Sequence, residues 1–173
     1  MASKRGKQTV RDMFLSLVLI VAAAGVIYVF VPHDDSGDPV RAVDYRVELA
    51  TARRAAPYQV VAPAGLGADW KATSVSYEGD DGANWHLGFL DPDGKYVAVE
   101  QSTAPAKTYL PDVTQDAKNT GRTETVAGQE WQHWTGDKYD ALVLKSEGST
   151  TVVTGSAPTA RLVEMAAALK SDA

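Results

Sequence analysis

The longest apolar stretch in the chain runs without a charged residue from Met13 to Val31. As a helix that rises 1.5 Å per residue, these nineteen residues reach about 28 Å, close to the roughly 30 Å hydrocarbon core of a bilayer. We therefore expect residues 13–31 to form one transmembrane helix in contact with the lipid bilayer. A helix buried inside a soluble domain is disfavoured, because the stretch has no polar face.

A cleavable signal peptide is the alternative interpretation of the same segment. The basic start of the chain and the small residues Ala22, Ala23 and Ala24 fit a cleavage site. The apolar run nevertheless continues from Val26 to Val31, whereas a signal peptide usually turns polar at its cleavage site. This continuation favours an uncleaved anchor, with rare cleavage after Ala24 left open.

Charge is unevenly divided on the two sides of this stretch. Residues 1–31 carry four basic side chains and one acidic one, net +3, while the rest of the chain carries thirteen basic and twenty-one acidic ones, net −8. By the positive-inside rule we predict a basic cytoplasmic tail over 1–12, a linker over 32–42 and an extracytoplasmic domain over 43–173. The predicted protein is thus a single-pass protein of the cell membrane.

Residues 41–56 fit two different patterns. Apolar and charged side chains alternate over residues 43–49, which indicates a strand, while the alanine-rich residues 50–56 favour a helix. A single helix over about 41–55 fits equally well.

Three alternating segments follow, over residues 73–77, 85–89 and 96–101. Turn residues separate them, with Glu78 to Gly82 in the first gap and Asp91 to Gly94 in the second. Strands joined by such short turns predict an antiparallel meander.

The second half of the extracytoplasmic part is predicted to begin with a helix and to continue with a second set of strands. A four-residue spacing predicts a short helix over about 110–119, followed by a second meander from strands at 125–135, 139–145 and 150–154.

The chain closes with a predicted helix over residues 158–170, whose apolar stripe is Leu162, Met165, Ala166 and Leu169. The predicted fold class is α+β: an antiparallel sheet from two three-stranded meanders with the C-terminal helix packed against one face, preceded by one N-terminal transmembrane helix.

Composition excludes several kinds of chemistry. The chain has no cysteine, so a disulfide framework, a thiolate zinc site, a cysteine nucleophile and an iron–sulfur cluster are impossible. The acidic extracytoplasmic part repels phosphate backbones, which argues against nucleic acid as a partner. We expect no cofactor.

The histidines His33, His86 and His133 are the candidates for acid–base chemistry. His86 with Asp91 has the residue types of a general-base pair, but no nucleophile motif such as G-x-S-x-G accompanies it. We expect these histidines to face solvent, and we expect the protein not to be an enzyme. The acidic turns at residues 80–82 and 91–94 lack the spaced oxygens and terminal Glu of a calcium loop, so we predict no metal site.

Two tryptophans of the second meander, Trp131 and Trp134, have opposite parity, so one of them is placed to face outward. An exposed tryptophan marks a binding surface. We take Trp131, Trp134 and His86 as a candidate interaction surface. The alternative is a tryptophan that covers the core at the rim of the sheet.

Several sequence blocks, in order, resemble a known family. They are PAGLGADWKATS at 63–74, HLGFLDPDGKY at 86–96, Val-Ala-Gly at 126–128 with Trp131, and VVTG at 152–155 before the closing helix. With the N-terminal apolar segment, they resemble the domain-of-unknown-function family 4245 of high-GC Gram-positive bacteria over about residues 10–170.

The chain departs from the family pattern at Lys71, where the family has Arg. The resemblance implies a membrane-anchored extracytoplasmic protein and carries no catalytic residues.

Three hypotheses of function follow. The first is a non-enzymatic accessory or interaction domain of the cell envelope that contacts another envelope or membrane protein. The second is a domain that binds or senses a small ligand, and the third and least favoured is an envelope hydrolase. An exposed apolar patch would favour the first, an apolar pocket with a few polar groups the second, and a His–carboxylate pair in a cleft the third.

Overall fold

The computed structural model describes the backbone of residues 5–30 and 42–171, and side chains over 12–24 and 42–171. The chain divides into two compact units, Met1–Pro39 and Val40–Ala173. The predicted linker over 32–42 lies outside the described residues except for Ala42.

The first unit contains one long helix, α1 (Arg5–Phe30). Its large apolar side chains from Met13 to Val21 are 54–71% exposed. No helix in the described part of the chain combines the length and the hydropathy that crossing a bilayer requires.

The described part of the second unit, residues 42–171, contains three helices and nine strands. The helices are α2 (Arg46–Ala55), α3 (Ala106–Val113) and α4 (Thr159–Ala168). The strands are β1 (Ala62–Pro63), β2 (Lys71–Glu78), β3 (Asn84–Leu90), β4 (Tyr96–Ser102), β5 (Lys118–Val126), β6 (Gln129–Thr135), β7 (Asp140–Ser146), β8 (Ser149–Gly155) and β9 (Leu169–Lys170).

Seven of these strands form one antiparallel sheet in the order β2-β3-β4-β8-β7-β6-β5. The α+β class is therefore confirmed, with a large antiparallel sheet and a C-terminal helix. Two meanders meet where β4 pairs with β8, with Val99 opposite Val153. The second meander has four strands instead of the predicted three.

The larger core lies between one face of the sheet and helix α4. Trp85, Leu87 and Val99 from the first meander and Leu142 and Val153 from the second are buried there. Helix α4 contributes the stripe Leu162, Met165 and Ala166, as its spacing predicted. Leu169 lies beyond the helix, in β9, which pairs with β1.

A smaller core lies on the opposite face of the sheet, beneath helix α3. Tyr109 and Leu110 of α3 pack with Ala141, Val143 and Val152 of β7 and β8. This helix covers the second meander, so the two faces of the sheet carry different helices.

Of the two patterns that residues 41–56 fit, the structure has the helix, from Arg46 to Ala55, and not the strand over 43–49. Asp44 Oδ1 accepts a hydrogen bond from the Arg46 N–H at 3.1 Å at the start of this helix. Among the alternating apolar residues, Val47 is exposed on this helix, whereas Leu49 and Ala52, three residues apart, face the core.

The single strand predicted over 125–135 is also wrong, because the chain turns back at Ala127 and Gly128. Their φ angles of +51° and +80° are those of a two-residue hairpin turn. The partner strand β5 begins at Lys118 and therefore includes the last two residues of the helix predicted over 110–119. That helix ends at Val113 and is followed by left-handed residues Gln115 and Asp116.

Candidate functional site

A strap formed by residues 57–62 crosses the α4 face of the sheet and is held by Gln101. This side chain is 2% exposed. Its Oε1 accepts from the Val61 N–H at 2.8 Å, and its Nε2 donates to the Gln59 carbonyl at 3.2 Å and to Thr151 Oγ1 at 3.0 Å. All its polar atoms are thus used, and the strap is fixed to β4 and β8.

Two aromatic side chains add to this fixation. Trp85 Nε1 donates to the Val61 carbonyl at 3.1 Å. The Tyr58 hydroxyl donates to the Ala83 carbonyl and lies 3.2 Å from the Gln101 carbonyl. Burial raises the pKa of Tyr58 well above its usual value, so the hydroxyl stays a protonated donor.

A cavity of about 550 Å³ lies between the strap, the tip of the β5–β6 hairpin and the C-terminal end of α4. Its apolar lining includes Val126, Trp131, Leu144 and Leu169. Its polar lining includes Gln129, Glu147 and Lys170. Polar residues make up about half of the lining, and a concave site of this size can hold a small ligand.

Trp131 is the largest side chain of this lining. It is 3% exposed, and its buried indole Nε1 has no hydrogen-bond partner among the described residues. A buried N–H without an acceptor is costly to stability.

A second cavity, of about 240 Å³, lies between the start of the unit and the loop before β2. Tyr45, Trp70 and Phe89 line it, with Phe89 meeting the other two rings edge-on at centroid distances of 5.9 and 6.4 Å. Trp70 Nε1 donates a hydrogen bond to Glu164 Oε1 at 3.2 Å, which joins the loop before β2 to helix α4.

Three polar side chains form a hydrogen-bonded row on the α3 face of the sheet. Ser74 Oγ lies 2.8 Å from His86 Nε2, and His86 Nδ1 lies 2.6 Å from Glu100 Oε1. The His86 and Glu100 side chains are 27% and 13% exposed. We call this serine, histidine and glutamate the polar row.

Strand register builds the polar row. His86 of β3 is directly opposite Glu100 of β4, and Gly88 is opposite Ser74 of β2. A bulge between Ala72 and Ser74 changes the parity of β2, so Ala72 faces the α4 core while Ser74 faces His86.

The carboxylate of Glu100 sets the protonation of the imidazole. Its hydrogen bond raises the pKa of His86 above the ordinary 6.5, against the lowering effect of burial. In the neutral ring, Nδ1–H donates to Glu100 and Nε2 is free to accept the Ser74 hydroxyl proton.

Tyr96 and Tyr109 flank the polar row. Burial, together with the charge of Glu100, raises the pKa of both tyrosines. A Cβ at Gly88 would lie 2.9 Å from the Tyr96 hydroxyl, so only glycine leaves room for the two hydroxyls.

The structure separates the candidate interaction residues. Trp131 lies in the α4 core and lines the large cavity, whereas Trp134 packs against the α3 core on the other face. His86 shares the Trp134 face, with strands β4, β8 and β7 between them. Whether any of these side chains contacts a partner stays a prediction.

The proposed pair of His86 with Asp91 does not form, and His86 pairs with Glu100 instead. Asp91 Oδ1 accepts from the Asp93 N–H at 2.9 Å and the Lys95 N–H at 2.7 Å, which closes the turn before β4. His133 Nε2 lies 3.4 Å from Thr159 Oγ1 on α4. In the described parts of the chain, no group of three acidic or histidine side chains is placed to hold a metal ion.

The model of the family described as "Protein of unknown function (DUF4245)" matches residues 5–169. This match confirms the resemblance drawn from the sequence blocks. No curated protein and no solved structure matches the chain.

Proposed function

Since the chain belongs to the DUF4245 family of proteins of unknown function, we propose a function from its own structure. It is a non-enzymatic accessory domain of the cell envelope that binds a small ligand in the cavity beneath the strap and is tethered to the membrane by residues 13–31. The observation that carries the binding role is the 550 Å³ cavity.

The cavity has the parts that a binding site needs. Its lining comes from the sheet at Gln101 and Leu144, from the strap that Gln101 holds, and from the hairpin tip between Val126 and Gln129. Apolar surface supplies affinity, while Glu147 and Lys170 at the edge supply polar contacts that orient a ligand.

Ligand binding is favoured over docking of a protein through an apolar patch. Over residues 42–171, Val47 is the single large apolar side chain that is exposed, at 73%. An isolated apolar side chain is ordinary on a soluble surface and does not make a patch. Contact with another envelope protein then involves polar surface.

The tether is supported by the sequence and by the side chains of α1. Residues 13–31 lack charges, and the large apolar side chains described from Met13 to Val21 are all exposed. Burial of such side chains in lipid is favourable, at about 25 cal/mol per Å². Residues 25–31 of the run lie outside the described side chains.

The binding role is tested by filling the cavity. The exposed residue Ser146 lines it, so Ser146→Trp places a large ring inside. Full-length protein in lipid nanodiscs is titrated with the amphipathic dye 1-anilinonaphthalene-8-sulfonate, with Ser76→Trp on exposed β2 as the matched control.

We expect one saturable dye site in the unmodified protein and in the control, and at least about a tenfold loss of affinity in Ser146→Trp, about 1.4 kcal/mol. Equal dye binding by all three proteins would refute the cavity as a ligand site.

A further inference from the structure

We infer that Ser74 is a nucleophile and a site of covalent O-acylation, with activated acyl esters as the class of donor. The inference concerns the α3 face of the sheet, where the polar row lies. It is independent of the proposed cavity, which lies on the α4 face and is not lined by Ser74, His86 or Glu100.

The geometry is that of an activated hydroxyl. The distances of 2.8 Å from Ser74 Oγ to His86 Nε2 and 2.6 Å from His86 Nδ1 to Glu100 Oε1 fall within hydrogen-bond reach. A nucleophile, a base and a group that orients the base, each in contact with the next, define this type of site. The imidazole is 27% exposed, so solvent-borne reagents reach it.

The acyl ester is the one reactant that this step takes from solution. As the Ser74 oxygen attacks the acyl carbon, its proton passes to His86 Nε2, and the imidazolium that forms is stabilised by Glu100. The bond between the acyl carbon and the leaving oxygen then breaks, and that oxygen takes the proton from His86. The products are an O-acyl serine and an alcohol or phenol.

Tyr96 supplies a donor for the charge that develops during attack. Its hydroxyl lies beside the Ser74 hydroxyl, since a Cβ at Gly88 would contact both, and it stays protonated because burial raises its pKa. A donor beside the nucleophile is positioned to stabilise the oxyanion of the acyl group. Tyr96 O–H is therefore assigned as the oxyanion donor.

The position of Ser74 indicates modification rather than turnover. Neither of the two cavities described above is lined by the polar row, so neither of them holds a substrate against Ser74. Acylation then stops after one group per chain, which agrees with the non-enzymatic function proposed above.

The test uses full-length protein in detergent and a fluorophosphonate, which transfers a phosphonyl group to activated serines with loss of fluoride. We expect the intact mass to rise by one phosphonyl group and peptide mapping to place it on Ser74. Ser76→Ala, two residues along the same strand and exposed, is the matched control and keeps the label, whereas Ser74→Ala loses it.

The roles of the other members are tested by rate. His86→Gln removes the base, and Glu100→Gln keeps a hydrogen-bond acceptor without the charge. We expect the rate of Ser74 labelling to fall at least about 100-fold in His86→Gln, which is the usual contribution of a general base. The rate in Glu100→Gln should lie between that of His86→Gln and that of the unmodified protein. Unlabelled full-length protein, or equal labelling of Ser74→Ala, would overturn the inference.

Discussion

At the scale of single residues, the polar row depends on a glycine that has no chemistry of its own. Gly88 lies beneath the hydroxyls of Ser74 and Tyr96, and a Cβ there would contact both, with the Tyr96 Cε2 at 3.1 Å. A side chain at position 88 would therefore fill the space that the two hydroxyls occupy.

We predict that Gly88→Ala destabilises the domain by about 1–3 kcal/mol, as overpacking usually does, and displaces the Ser74 hydroxyl from His86. Thermal unfolding of the full-length chain in a mild detergent measures the loss. Gly67→Ala is the control, because its Cβ meets nothing within 4 Å. Equal melting temperatures for the two variants would contradict the close packing at Gly88.

The His86–Glu100 pair makes stability depend on pH. Since the pKa of folded His86 is raised above 6.5, its contribution is fully present below about pH 6.5 and is lost as pH rises through the higher folded value. Tyr96 and Tyr109, which also feel Glu100, stay neutral in this range because their pKa values are raised.

We therefore predict that His86→Gln lowers the melting temperature more at pH 5.5 than at pH 9. If the loss of melting temperature in His86→Gln is the same at both pH values, or is larger at pH 9, the pairing of His86 with Glu100 is contradicted.

At the scale of elements, the sequence predicted the first meander well and the second only in part. Strand β3 alternates cleanly, and Asp91 to Gly94 marks the turn that follows it. The β5–β6 turn is Ala127-Gly128, which lacks the Asn or Asp typical of such turns. Strand β5 is exposed on both sides apart from Thr120 and Val126, so it has no hydrophobic alternation to detect.

The polar row was not predictable from local motifs. Its members lie 12 and 14 residues apart on three strands, and their contact depends on strand register and on the bulge between Ala72 and Ser74. Correct pairing of β2, β3 and β4 would place His86 opposite Glu100. The parity change at the bulge has no signal in composition.

The strap is held most extensively by the side chain of Gln101, which makes three hydrogen bonds beside those of Trp85 and Tyr58. We predict that Gln101→Leu lowers stability by about 1–3 kcal/mol, because the Val61 N–H and the Gln59 carbonyl lose their partner. Dye binding to the cavity should weaken in parallel. Gln129→Leu, on the exposed hairpin tip of the same cavity, is the control and should change stability by less than about 0.5 kcal/mol.

At the scale of the whole molecule, charge and hydropathy divide the chain in the same place. Residues 1–31 hold the net positive charge and the uncharged run, and the remainder holds the net charge of −8. The proposed tether would keep an acidic binding domain close to the outer face of the cell membrane. The cavity and the polar row, on opposite faces of one sheet, would both be presented there.

Protease access in intact spheroplasts tests this account most directly. The full-length chain carries an epitope tag after Ala173, and spheroplasts are treated with protease before and after lysis. The account predicts that the tag is lost from intact spheroplasts and that the chain sediments with membranes. A tag that is protected until lysis, or a chain released in soluble form, would contradict it.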